Sequence, residues 1–124
     1  MEKKRVFVSF DFDNDKALKD FIVGQAKNPD SPFQVSDWSM KESAPESNWE
    51  AEARARIKRS DIVIVMLGYK TYQAPGVLKE VKIARGEGIK IIQIIGHKDA
   101  KLTPVPNAGT VYSWNWENLR NLLS

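Results

Sequence analysis

DIVIVML, residues 61–67, is an apolar run unbroken after its first residue. A half-buried strand alternates apolar and polar side chains. This one does not, so both of its faces must be covered. Such a strand lies in the middle of a parallel sheet with helices above and below. The segments on either side supply those helices. Upstream, Trp49, Ala53 and Ile57 recur at helical spacing, and Ser47-Asn48-Trp49-Glu50 has the spacing of a capping box. A helix is predicted from Ser47 to about Arg59. Downstream, residues 68–76 contain Pro75-Gly76 and read as a loop. Val77, Leu78, Val81 and Ala84 then predict a helix ending at Gly86 or Gly88. IKIIQII, residues 89–95, predicts a further strand, the fourth of the chain.

The same alternation extends outward. Residues 5–10 (RVFVSF) are β-branched and aromatic and predict a first strand. Residues 11–15 are acidic and turn-prone. Ala17, Leu18, Phe21 and Ile22 mark a helix over residues 16–25, stopped by the Pro-rich residues 28–32. Residues 33–38 form a short strand, and residues 39–45 a polar connection. Residues 97–109 are irregular, residues 110–113 make a last short strand, and Trp116, Leu119, Leu122 and Leu123 predict a terminal amphipathic helix. Strands alternating with helices predict an α/β fold: a doubly wound, mostly parallel five-stranded sheet with helices on both faces, in one domain spanning residues 1–124. Ligands of such sheets bind beyond the carboxyl ends of the strands, at the switch point of strand order. The residues to inspect are therefore 10–13, 38–40, 68–72 and 96–97.

Composition narrows the function. The chain has 124 residues, 42% of them hydrophobic and 28% charged, which suits one globular domain and not a disordered tail. It has no cysteine, so disulfides and thiolate metal sites are excluded. No apolar run approaches a membrane span or a signal-peptide core, and a cytoplasmic location is expected. The net charge is +3, but the basic residues are scattered among acids. The densest basic spot, Arg54, Arg56, Lys58 and Arg59, reads as a solvated helix face, and no nucleic-acid partner is expected.

Several chemistries lack their residues. No G-x-G-x-x-G follows the first strand and no G-x-x-x-x-G-K-[ST] occurs, so neither dinucleotide-fingerprint nor P-loop binding is available. A phosphoacceptor receiver needs an Asp at the end of the third strand, where this chain has Met66-Leu67-Gly68. A flavin phosphate loop is opposed by Asp11, Asp13 and Asp15, whose carboxylates repel phosphate. Those acids alternate like the start of a calcium loop but lack its glycine and distal Glu. His97 is the sole histidine, and no metal site is expected.

Among the acids, Glu80 has the most telling position. It falls in the first turns of the third helix and flanks the stripe of Val77, Val81 and Ala84. There it would be partly shielded and near the positive end of a helix dipole. A carboxylate so placed is suited to a ribose diol or to a developing cation; the alternative is an ordinary surface glutamate. Trp49, Trp114 and Trp116 are expected in packing. Trp38 has polar flanks. Tyr69 and Tyr72 either contact a ligand or cover the sheet end.

KRVFVSF-D (residues 4–11), RSDIVIVMLG (59–68), V-x-x-E-x-x-x-A (77–84), GIKII (88–92) and the ending VYSWNWENL (111–119) together resemble a TIR domain. More narrowly, they are similar to the bacterial and archaeal TIR-like proteins that include the Thoeris anti-phage sensor. The resemblance covers nearly the whole chain. It implies a flavodoxin-like fold and, for many members, cleavage of NAD+ at the nicotinamide–ribose bond, with Thoeris-type members making a cyclic ADP-ribose-like signal for a partner effector. It implies that Glu80 is the catalytic carboxylate and that Phe10 and Asp11 line the nicotinamide end. Trp38 would enter the loop that gates the site and mediates assembly. Tyr69 is a further substrate-binding candidate. NAD+ would be a substrate, with no resident cofactor. The sequence departs from the family's W-x-x-x-E form, since Gly76 stands where the tryptophan is expected.

Three readings follow: an NAD+-consuming hydrolase or cyclase in immune signalling, a catalytically silent interaction module that assembles with other chains, and a non-catalytic nucleotide-binding domain. For the enzyme, self-association and a downstream effector that senses the product are the expected partners.

Overall fold

The computed structural model describes residues 4–11, 16–27, 31, 33–38, 46–95, 102–113 and 121. Its elements are β1 (Lys4–Ser9), α1 (Lys16–Ala26), β2 (Phe33–Trp38), α2 (Glu46–Lys58), β3 (Ile62–Leu67), α3 (Pro75–Gly86), β4 (Lys90–Ile95) and β5 (Val111–Ser113), with a single 3-10 turn over Thr71–Gln73. The five strands form one sheet in the order β2-β1-β3-β4-β5, and every neighbouring pair is parallel. This is the expected doubly wound α/β sheet. From β1 the chain builds outward to β2, then returns to the other side of β1 and proceeds through β3 and β4 to β5. The order therefore reverses between β1 and β3, and their carboxyl ends border the switch-point crevice.

The continuous apolar run is buried at all six positions of β3. Its parity sorts the core into layers. Ile62, Ile64 and Met66 join Val6, Val8 and Phe10 of the β1 segment and Ile22 of α1 on one face. Val63 joins Phe7, with Trp49, Ala53 and Ile57 of α2 and Ile83 and Ala84 of α3, on the other. Val65 and Leu67 pack with Val77 and Val81 of α3 on that second face. Among the described residues, one helix covers the first face and two cover the second.

The structure refines some of the expected boundaries. α2 begins at Glu46, so Ser47 lies inside its first turn instead of capping it. Pro75-Gly76 opens α3 and does not belong to the preceding loop. Proline is well suited to the first helical turn, where its missing N–H would have no intrahelical partner. Gly88, at φ +70°, reverses the chain just past the end of α3. In α1 only Ile22 is fully buried and Phe21 is 51% exposed, so the described contacts of this helix bury a narrow stripe. The acidic residues beyond Asp11, the polar connection 39–45, His97, Trp114, Trp116 and the terminal helix (residue 121 apart) lie outside the described residues. Among the described residues, no helix is long and apolar enough to cross a membrane.

Two polar ties close the sheet's periphery. Gln93, 1% exposed in β4, donates from Nε2 to the carbonyls of Val105 (3.2 Å) and Gly109 (3.0 Å), and its Oε1 accepts from the Val105 N–H (2.7 Å). One side chain thereby anchors the segment leading into β5. Gln93→Leu strands these groups and is expected to cost about 1–3 kcal/mol in urea unfolding. At the opposite end, the Arg5 N–H (2.8 Å) and guanidinium (3.3 Å) bind the Asp61 carboxylate. The backbone bond first, and then the side-chain bond, hold the Asp61 carboxyl below its ordinary value. A depressed carboxyl stabilises the fold above its unfolded-state pKa, and that contribution is lost as pH falls through the folded value. The pair is largely exposed, so Asp61→Asn should cost only about 0.5 kcal/mol at neutral pH. The difference from wild type should vanish as pH drops below about 4 in parallel denaturation series.

Candidate functional site

The crevice is built from the ends of β1 and β3. Ser9 is the last residue of β1 and pairs in register with Val65 of β3. Strand alternation puts Ser9 on the same side as Phe7, the face covered by α2 and α3. From above, α3 presents Val77, Glu80, Val81 and Ala84 inward, the 3–4 spacing of one helical face. Glu80 meets Ser9 there. The Ser9 hydroxyl donates to Glu80 Oε1 at 2.8 Å across 71 residues of sequence, and both side chains have no exposed surface.

Glu80 was expected to be partly shielded at the flank of the stripe. Its burial is complete, because α3 turns this flank toward β1. A carboxylate removed from water costs several kcal/mol unless hydrogen bonds replace its hydration, and the Ser9 hydroxyl supplies one. Gly76 lies one turn toward the N-terminus of α3 from Glu80. The residue that replaces the expected tryptophan therefore leaves a position without a side chain over that face of the helix.

The other candidates lie at or just past the strand ends. Asp11 is 7% exposed and two residues beyond Ser9, just past the carboxyl end of β1. Tyr69 is 62% exposed and follows β3 across the switch point. The loop that carries it is held by a 2.7 Å bond from the Gly68 N–H to the buried Thr71 hydroxyl. Phe10 is 2% exposed and packs in the α1-side core. Trp38 pairs in register with Val8, whose side chain faces α1, and the Lys19 ammonium of α1 stands 4.8 Å from the centre of its ring. The structure thus gathers Glu80, Asp11 and Tyr69 at the switch-point edge. It puts the Phe10 and Trp38 side chains on the opposite face from Glu80.

Two residues of this arrangement were not among the sequence candidates. Ser9 carried a signal: a lone hydroxyl at the carboxyl end of an otherwise apolar strand, on the parity that faces the second helical layer. Thr71 carried none, since a threonine in a polar loop is unremarkable until its partner is seen.

A separate open groove of about 510 Å³ runs between α2 and α3, bordered by Arg54, Lys82 and Glu87. It lies on the solvent side of the helices, and Arg54 spans it to Glu87 at 3.7 Å. Glu80 points the other way, toward β1, so this groove does not lead to its carboxylate. Among the described residues, no group of three or more His, Cys, Asp or Glu side chains is placed to hold a metal ion.

Comparison with known families adds one finding. The family model described as Thoeris protein ThsB, TIR-like domain, matches residues 7–101. That span holds Ser9, Asp11, Tyr69, Gly76 and Glu80, and stops short of β5. No curated protein matches the chain.

Proposed function

The chain belongs to the Thoeris ThsB TIR-like domain family, and from that premise we propose that it binds NAD+ at the carboxyl edge of β1 and β3 and cleaves the nicotinamide–ribose bond, yielding an ADP-ribose-derived signal in anti-phage defence. The observation that carries this reading is the Glu80 carboxylate, held by Ser9 at 2.8 Å beside the switch-point crevice of the sheet.

The reaction asks little else of the protein. The C1′–N bond breaks, nicotinamide leaves with the bonding electron pair, and the ribose becomes oxocarbenium-like. A fixed carboxylate stabilises that developing positive charge, and does so more strongly away from water. In hydrolysis a water oxygen bonds to C1′ and one proton is released, leaving ADP-ribose. In cyclisation a hydroxyl or ring nitrogen of the same molecule takes that position, which requires that water be kept out. Glu80 is the catalytic carboxylate, Asp11 binds the substrate beside it, and Tyr69 offers an aromatic face to a base or to the pyridinium. Phe10 and Trp38 support the edge from behind in this arrangement, and Trp38 reaches substrate only if the end of β2 moves. The chemistry needs neither metal nor resident cofactor. NAD+ is the substrate, and an effector that senses the nucleotide product is the downstream partner.

The absence of exposed surface on Glu80 favours a second reading, an interaction module in which Glu80 is only a tie between α3 and β1. For the enzyme, the same fact means that substrate reaches the carboxylate only after the edge opens, with self-association as the opening event. Purified protein incubated with NAD+ across a range of protein concentrations separates these readings. Nicotinamide release that steepens with concentration supports the self-associating enzyme. A product with the mass of ADP-ribose marks hydrolysis, and one lighter by a water marks cyclisation. Silence at every concentration leaves the interaction module.

A further inference from the structure

We infer that Ser9 is a positioning residue for the reaction: its hydroxyl orients the Glu80 carboxylate, so that the catalytic geometry belongs to a strand–helix pair and not to the helix alone. This rests on the NAD+-cleavage reading and goes beyond it by assigning a role to Ser9.

Packing alone does not account for a serine here. Ser9 is fully buried, paired in register with Val65 at the centre of the sheet, and preceded by Val6, Phe7 and Val8. A β-branched apolar residue would suit such a strand position better and would bury no hydroxyl. The hydroxyl is instead spent on Glu80 Oε1, at 2.8 Å. The terminal torsion of a glutamate is broad and roughly two-fold, so packing of its methylenes does not decide the plane of the carboxylate. A donor mounted on a central strand does decide it. β1 is held on both sides, by β2 and by β3, which makes it a rigid mount. Rotating the carboxylate away from a ribose by a fraction of its span weakens every interaction that grows in the transition state.

The test compares wild type, Ser9→Ala, Ser9→Thr and Glu80→Gln in steady-state NAD+ cleavage, with thermal melts of each. Ser9→Ala is expected to lower kcat by about 10- to 100-fold with KM nearly unchanged. Ser9→Ala also leaves the buried carboxylate short of a hydrogen bond, at about 1–3 kcal/mol, so kcat is read well below the melting temperature of each variant, where loss of folded protein does not account for the effect. Ser9→Thr keeps the hydroxyl and should recover most of kcat. A folded Ser9→Ala with kcat within about twofold of wild type overturns the proposal, as does a loss in Ser9→Ala that Ser9→Thr fails to recover, since the role is then steric. An active wild type with an inactive Glu80→Gln leaves the cleavage reading standing in either of those cases. An inactive wild type overturns both.

Discussion

Replacing Glu80 with Gln is expected to lower the rate of nicotinamide release by about 10²–10³-fold, equivalent to about 2.7–4 kcal/mol of transition-state stabilisation. Gln is the informative substitution because it keeps the shape of the side chain. Its amide oxygen still accepts the Ser9 hydroxyl, so the bond across 71 residues survives and the fold with it. The substitution removes the negative charge that the proposed reaction requires, at a site with no exposed surface. Glu80→Ala would mix the same loss with a cavity between α3 and β1. The measurement is kcat with a melting curve on the same preparation. A melt like that of wild type with the rate collapsed assigns the charge to chemistry. An unchanged rate identifies Glu80 as a structural tie and moves the weight to the interaction module.

Gly109→Ala is expected to cost more stability than an alanine at Gly24, Gly86 or Gly88. Gly109 sits at φ +83°, where a residue with a Cβ costs about 1–2 kcal/mol. An added Cβ would also stand 2.1 Å from the backbone carbonyl oxygen of Ile91. That atom belongs to β4 and cannot swing aside as a side chain would, so strand or loop must shift. Backbone shifts of this kind cost about 1–3 kcal/mol. The two effects together come to about 4 kcal/mol, or a fall of about 15 °C in melting temperature for a chain of this size. The consequence reaches further than β5. The Gly109 carbonyl is one of the Gln93 contacts, and Val105 and Ala108 of the same segment pack against Val77 and Val81 of α3. Displacing the segment therefore loosens the helix that carries Glu80. Gly88→Ala is the matched control: it also has a positive φ, +70°, but nothing lies within 4 Å of its added Cβ, so it should cost only the conformational part.

The layers of the fold were legible in the chain because burial leaves a periodic mark. An unbroken apolar run in β3 reports cover on both faces, and 3–4 spacing in α2 and α3 reports one inward face each. The boundaries were less legible where two signals compete. Pro75-Gly76 reads as a turn by composition, yet a proline is equally at home as the first residue of a helix, and only the following hydrogen bonds decide. Phe21 had the right spacing for the core and is half exposed, because spacing gives direction around a helix and not how far the neighbouring layer extends.

The candidate site divides along the same line. Glu80 could be placed on α3 near the carboxyl edge from its position in the helix, and Asp11 and Tyr69 from their positions just past strands. Phe10 follows Val6 and Val8 to the α1 side of the sheet, opposite Ser9 and Glu80. Which parity faces α3 became visible only once α1 was seen on one face and α2 with α3 on the other. The alternating order of elements, the parallel sheet and the family likeness are properties of local pattern, and the chain carries them unaided. The complete burial of Glu80, its bond to Ser9, the separation of Trp38 from that carboxylate and the Gln93 anchor are contacts between distant segments. They depend on how rigid layers meet, and a linear pattern holds no record of that meeting because each segment's periodicity specifies only that its face is covered, not by what.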